Sequence, residues 1–443
     1  MSTGVSRLHP LTPLLRSARA LALIVAAISW RGYAQLGLPR WLLLVLALLF
    51  AAFVLSVISW LVTGYQVVGR ELRISEGVLV RRHRTIPLER LQAVDVVRPV
   101  LARLTGLAEL KLEVVGARKT EAPLSFLTVR QAGALRERLL AIAAGTGAPA
   151  AAQSPAAAQS PAEPAAAGTA PPDEQLLHAV DNRMLLQSQL LTPHAWAIPL
   201  ALVAVALPYL ESPVWTFVGV ASTLTALGGV LLRPARRIVD DWHFRIAARP
   251  AGLVLRHGLL ETRVQTLPPR RVQAVAVTRP LLWRIPGWVY ARIDVAGYGA
   301  HDRRAETHVD RLLPVATQDT ARWVVDQVLG GVDPAALALV PAPRRARWVA
   351  PLSQPNLAVA LDAAVVAVRD GWLTQELVLV PYARVQSVRV VRGPVRRWLR
   401  LADVHVDTAG SVHVVATGRD AGEAYALAEE ITRRAREARS RAT

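Results

Sequence analysis

Three stretches of this chain align with one another without a gap for forty positions, from Gly77 to Gly116, Gly258 to Gly297 and Gly371 to Gly410. Such internal repetition means that one small fold unit occurs three times. Pro87, Pro268 and Pro381 coincide in this register, as do Arg90, Arg271 and Arg384, then Gln92, Gln273 and Gln386, and finally Arg98, Arg279 and Arg392. The unit is β-rich. Apolar or alternating residues run up to each turn glycine (Gly77, Gly258, Gly371) and apolar residues follow it, which predicts a β-hairpin. LKLEV, ARIDV and ADVHV then alternate with period two and carry Lys111/Glu113, Arg292/Asp294 and His405/Asp407 on one face, the pattern of a half-buried antiparallel strand. Each unit closes on a helix. Thr128 with Gln131 and Asp420 with Glu423 have the spacing of capping boxes, and Leu135, Leu139 and Ile142 continue the first helix at spacings of four and three.

Between the repeats lie apolar runs. Trp41–Val62 is uncharged and long enough to cross a hydrocarbon core as a helix. Pro213–Leu232 is also uncharged, Leu191–Leu210 is broken only by His194 and prolines, and Ala20–Pro39 contains Arg31. The expectation is two helical membrane hairpins. Arginines flank both ends of each, which predicts that the intervening domains are cytoplasmic. The organisation expected is a cytoplasmic N-terminus (1–19), hairpin 1 (20–62), domain 1 (63–143), an Ala/Pro-rich linker (144–173), a membrane-proximal segment (174–190), hairpin 2 (191–232), domain 2 (233–330), a linker (331–355) and domain 3 (356–439).

The signature "turn Gly, Ile/Leu-Pro, Arg-Val/Leu-Gln-Ser/Ala-Val, Arg-Pro" resembles the bacterial pleckstrin-homology-like (PH-like) domain, repeated in membrane proteins of the YdbS/YdbT type. It is carried by Ile86–Pro99, Leu267–Pro280 and Val380–Pro394. The third copy departs most, with Tyr382 after its proline and Gly393 before the next one. The resemblance implies an antiparallel β sandwich or barrel closed by a C-terminal α-helix, so the fold class expected is membrane α-helical hairpins plus three PH-like domains. It implies no particular ligand, because this fold hosts lipid, peptide and protein binding alike.

A net charge of +19 favours acidic partners. The expected partners are the bilayer, anionic phospholipid, and another membrane protein or a second copy of the chain, with no nucleic acid, since no recognition module accompanies the charge. Arg81, Arg82 and Arg84 cluster only in the first copy, within reach of an anionic leaflet. Arg90, Arg271 and Arg384, with Arg98, Arg279 and Arg392, are candidates for gripping phosphate or carboxylate oxygens; arginines bridging a sheet edge to a carbonyl would look the same in sequence. No cysteine is present, which excludes disulfides, thiolate metal sites and cysteine nucleophiles. His301 and His308 near Asp302 and Asp310 lack the spacing of a metal motif, and no phosphate loop or nucleophile elbow occurs. No cofactor, metal or enzymatic role is expected. The function expected is a non-catalytic membrane scaffold whose PH-like domains bind a protein partner or anionic lipid. The alternative is a component of a small-molecule or lipid transport system, for which Arg31 and His194 are the intramembrane candidates.

Overall fold

The computed structural model describes residues 6–7, scattered positions between 39 and 58, and residues 64–76, 82–88, 91–114, 121–143, 175–192, 234–249, 252–267, 271–295, 311–410, 412 and 414–442. By their contacts they form two compact units, Met1–Thr169 with Leu260–Gln265, and Ala170–Leu259 with Thr266–Thr443.

In the first unit, β1 (Ser6–Arg7), β2 (Gly64–Val68), β3 (Glu71–Glu76) and β4 (Arg82–Pro87) form an antiparallel sheet in that order. A second sheet contains β5 (Leu91–Arg98), then, after the short helix α1 (Val100–Leu104), β6 (Leu107–Val114) and β7 (Glu121–Thr128). Helix α2 (Val129–Ala143) follows. Alternation decides which side chains go inward. Leu72 and Ile74, Ile86 and Leu88, Val94 and Val96, and Leu110 and Leu112 pack with Ala132, Leu135 and Leu139 of α2 into one core. Each such Leu or Ile contributes roughly 1.5–3 kcal/mol by leaving water. The α2 start is capped as expected: Gln131 N–H donates to Thr128 Oγ1 (3.3 Å) and Thr128 N–H to Gln131 Oε1 (3.2 Å). A further strand lies on the outer edge of β5, where Thr262, Arg263 and Val264 pair antiparallel with Arg98, Val97 and Val96.

The second unit begins with β8 (Gln175–Ala179), α3 (Asn182–Leu190), β9 (Arg245–Arg249) and β10 (Gly252–His257), with β9 between β8 and β10. After β11 (Thr262–Leu267) come β12 (Val272–Pro280), β13 (Trp288–Val295), β14 (Arg311–Thr317) and α4 (Gln318–Leu329). The last repeat has β15 (Val340–Pro341), β16 (Ala358–Leu361), β17 (Val365–Asp370), β18 (Thr374–Pro381), β19 (Val385–Val391), α5 (Pro394–Trp398), β20 (Leu401–Thr408), β21 (Val414–Asp420) and α6 (Ala421–Ala442). Here β12 pairs with β18 over six residues, making one seven-stranded sheet ordered β14-β13-β12-β18-β17-β16-β15, beside a three-stranded sheet β19-β20-β21. Tyr382, Val404, Val406, Leu427 and Ile431 belong to the core beneath α6.

The two junctions share one register. Thr262 and Gln375 each stand four positions past their turn glycine, and they pair with the equivalent arginines Arg98 and Arg279. Gly258 (φ 110°) and Gly371 (φ 94°) hold conformations closed to other residues, and a Cβ at Gly371 would meet the Thr374 carbonyl at 1.9 Å. The expected capping box at α6 does not form: Asp420 accepts from Gly422 N–H, while Glu423 pairs with the buried Arg419.

The expected fold class needs correction in its helical part. The described protein is mostly antiparallel sheet, and among the described residues no helix is long and apolar enough to cross a membrane. The longest, α6, has the length but is dense in Arg and Glu, which a hydrocarbon core would not solvate. Of Trp41–Val62 only scattered helical positions such as Leu43, Leu44 and Leu46 are described; nearly all of Ala20–Pro39 and Leu191–Leu210, with all of Pro213–Leu232, lies outside the described residues, as does the 144–173 linker.

Candidate functional site

Each repeat makes a short helical turn where its second sheet's first strand ends. The turns are α1, the 3₁₀ turn Leu282–Arg284, and α5. Each ends on a left-handed residue at the same repeat position, Gly106 (φ 67°), Gly287 (φ 73°) and Arg400 (φ 55°). This geometry pushes one large apolar side chain of each turn into the open: Leu104 is 81% exposed, Ile285 84% and Trp398 83%. Val100, Leu281 and Val395 of the same turns are also exposed. An arginine precedes each tip, at Arg103, Arg284 and Arg397, and the predicted Arg98, Arg279 and Arg392 sit at each turn's base.

Those basal arginines share a further property. Each is half-buried, and the Nε of all three is buried without a hydrogen-bond partner. Arg279 uses Nη2 to donate to the Arg284 carbonyl (3.3 Å), tying strand end to tip. Burial, then the neighbouring Arg103 charge, lowers the Arg98 pKa. The same holds for the Nε of other half-buried arginines such as Arg284 and Arg396, so what sets these three apart is their common place at the base of the turns.

In the second unit a hairpin turn joins the tip. Pro280 pairs with Thr374, and Arg284 Nη2 donates to the Trp372 carbonyl (2.5 Å). Exposed Leu281, Ile285, Trp372 and Leu373 therefore stand on adjoining segments, with Arg279 and Arg284 beside them. Beside the base of this turn a cavity of about 290 Å³ is lined by apolar residues such as Val277, Val289 and Leu339 together with Arg279, Arg322, Arg369, Gln318 and Gln375; Arg322 is held by Asp319, and Arg369 donates to the Asn356 carbonyl. The cavity's carboxylate, Glu376, is already bound by Arg292 and Thr278.

Arg271 and Arg384 do not join this site. They precede β12 and β19, at the opposite end of strands roughly 25 Å long. The Arg271 carbonyl accepts from the buried Gln273 Nε2 (3.3 Å), whereas Gln386 is exposed, so the repeated glutamine has no common environment. Arg82 and Arg84 lie in β4, while Arg81 and Arg90 are outside the described residues, as are Arg31, His194, Gly77, Pro268, His301 and His308. Among the described residues no group of His, Asp or Glu is arranged to hold a metal ion. The repeated Arg103/Arg284/Arg397 and the tips Leu104/Ile285/Trp398 were missed by the sequence reading, although the same ungapped alignment carries them. The signal available was a large apolar residue at one repeat position, two before a glycine in the first two copies and two before Arg400 in the third.

The chain matches the bacterial PH domain family three times, over residues 18–143, 195–324 and 324–435. It is 24% identical over 272 residues to the UPF0699 transmembrane protein YdbT of Bacillus subtilis (strain 168), covering 56% of this chain and 52% of that one. The chain thus spans about half the length of that curated relative. No solved structure matches it. With three matches that together cover most of its length, the chain belongs to the bacterial PH domain family.

Proposed function

We propose that the chain is a non-catalytic scaffold held at a membrane, whose PH-like domains set basic, apolar-tipped turns into the head-group layer of an anionic bilayer. The observation that carries this reading is the triplicated turn with its apolar residue more than four-fifths exposed beside two arginines. Large exposed apolar side chains rimmed by charge mark an interaction surface, and each basic residue near an anionic leaflet adds on the order of 1 kcal/mol. The arginine-lined cavity supports an anionic head group in particular. The name of the Bacillus relative, a transmembrane protein, supports a membrane setting. The cytoplasmic leaflet is the anionic one, so a cytoplasmic placement of the domains accords with this chemistry.

The test is flotation of the full chain with vesicles of phosphatidylcholine alone or with added phosphatidylglycerol. Binding should require the anionic lipid and weaken with salt. Ile285→Ser and Trp398→Ser should each lower it by about fivefold, with thermal stability unchanged because neither side chain is buried. Equal binding to neutral vesicles, or tip variants that bind like the parent, would remove the basis of the proposal.

A further inference from the structure

Both internal junctions follow one rule: the strand ending in the repeated basal arginine receives, on its outer edge, a strand from the following repeat. In the second unit Arg279, Thr278, Val277 and Ala276 face Gln375, Glu376, Leu377 and Val378. In the first unit Arg98, Val97 and Val96 face Thr262, Arg263 and Val264 at the same repeat positions. The third repeat has the donor-free counterpart. Its β19 is the edge of a three-stranded sheet, and among the described residues no strand covers it. At the end of this edge the exposed Val391, Val395 and Trp398 lack the hairpin turn that stands beside the equivalent tip in the second repeat.

We infer that β19 is a docking edge for a β-strand of another polypeptide, with acidic character opposite Arg389. The register of the two internal junctions fixes how that strand lies. Val391 takes the position of Thr278, Val390 that of Val277, and Arg389 that of Ala276. The surroundings of the edge are basic: Arg389, Arg392, Arg396 and Arg397 stand along it, with Asp407 held bidentately by Arg389 (2.8 and 2.9 Å) and Asp403 by Arg396. The counterpart within this chain, β4, whose outer edge no strand covers among the described residues, is a poor occupant. In the same register it would set Arg84 against Arg389, and like charges directly opposite one another destabilise a strand pair. This is the charge device that keeps sheet edges from pairing with themselves. Strand addition leaves selection to side chains on the incoming strand.

The absence of cysteine makes the test direct. The full chain carrying Val391→Cys is mixed with synthetic peptides of the Gly371–Tyr382 sequence bearing one cysteine, as Gln375→Cys, Glu376→Cys or Leu377→Cys, under thiol exchange. Disulfide trapping should be fastest with Glu376→Cys. A second change in that peptide, Val378→Glu, should trap about fivefold faster than Val378→Lys, and Arg389→Glu in the chain should reverse this order, with amide protection in β20 reporting that the variant is folded. Trapping that ignores register or charge overturns the assignment. So does sedimentation of the unmodified chain as open-ended oligomers in which Val385–Val391 is protected, which would identify a second copy as the occupant.

Discussion

Arg400 and Asp95 each hold a conformation or environment that their residue type disfavours. Arg400 closes the third tip at φ 55°, where the other two repeats use glycine. A left-handed backbone costs a residue with a Cβ about 1–2 kcal/mol. Arg400→Gly should therefore raise stability by about 1 kcal/mol in denaturant unfolding, and a loss of stability would mean that the arginine side chain makes a compensating contact. Asp95 is buried in the first unit, with Oδ1 lacking a hydrogen-bond partner. Burial raises its pKa from 3.8 to about 6, although Arg263, Arg136 and Lys111 pull the other way. Between those two values the folded protein binds a proton that the unfolded chain has released. Stability from this site therefore falls as pH rises from about 4 to 6 and stays lower above. Asp95→Asn should match the parent near pH 4 and exceed it by about 2–3 kcal/mol at pH 7.5; urea midpoints across that range check the sign as well as the size.

At the level of strands and helices, the junctions make strands of different repeats cooperative. Ala276 in β12 pairs with Arg292 of β13 on one side and Val378 of β18 on the other. Ala276→Pro removes a donor from a central strand, at a cost of about 3 kcal/mol or more. Hydrogen exchange should then quicken in β18 as well as in β13; protection surviving in β18 alone would show that the pairing is not cooperative. Local elements were legible because local chemistry writes them. Period two in LKLEV buries Leu110 and Leu112, and Thr128 with Gln131 caps α2. The same spacing failed at Asp420 and Glu423 because the buried Arg419, whose placement depends on tertiary packing, takes the carboxylate. Strand sharing was not legible: nothing near Thr262 or Thr374 in sequence says that their partners lie at Arg98 and Pro280. Of the candidate site, the basal arginines were visible as a repeated column, whereas the exposed tips required knowing which apolar side chains the core leaves out. The apolar runs read as membrane hairpins fall mostly on residues outside the described ones, Trp41–Val62 excepted in part, and no described helix is long and apolar enough to cross a membrane.

The whole molecule is a series of like domains, each of which offers the same turn with the same chemistry. On the proposed reading repetition multiplies a weak contact: one inserted apolar side chain with two arginines would hold a bilayer loosely, while several acting together would raise avidity without any new contact. Removing one tip should therefore weaken vesicle binding modestly, and removing all three should weaken it far more than any single change. The most direct measurement of this account uses the chain's lack of cysteine. Leu104→Cys, Ile285→Cys and Trp398→Cys, each labelled with an environment-sensitive fluorophore, are compared with Val340→Cys, an exposed position in the edge strand β15 and outside the three turns. With phosphatidylglycerol vesicles the account predicts a blue shift and protection from an aqueous quencher at all three tips, reversed by salt, and none at Val340. Tip labels that stay in water on bound vesicles, or a shift equal to that at Val340, would contradict it.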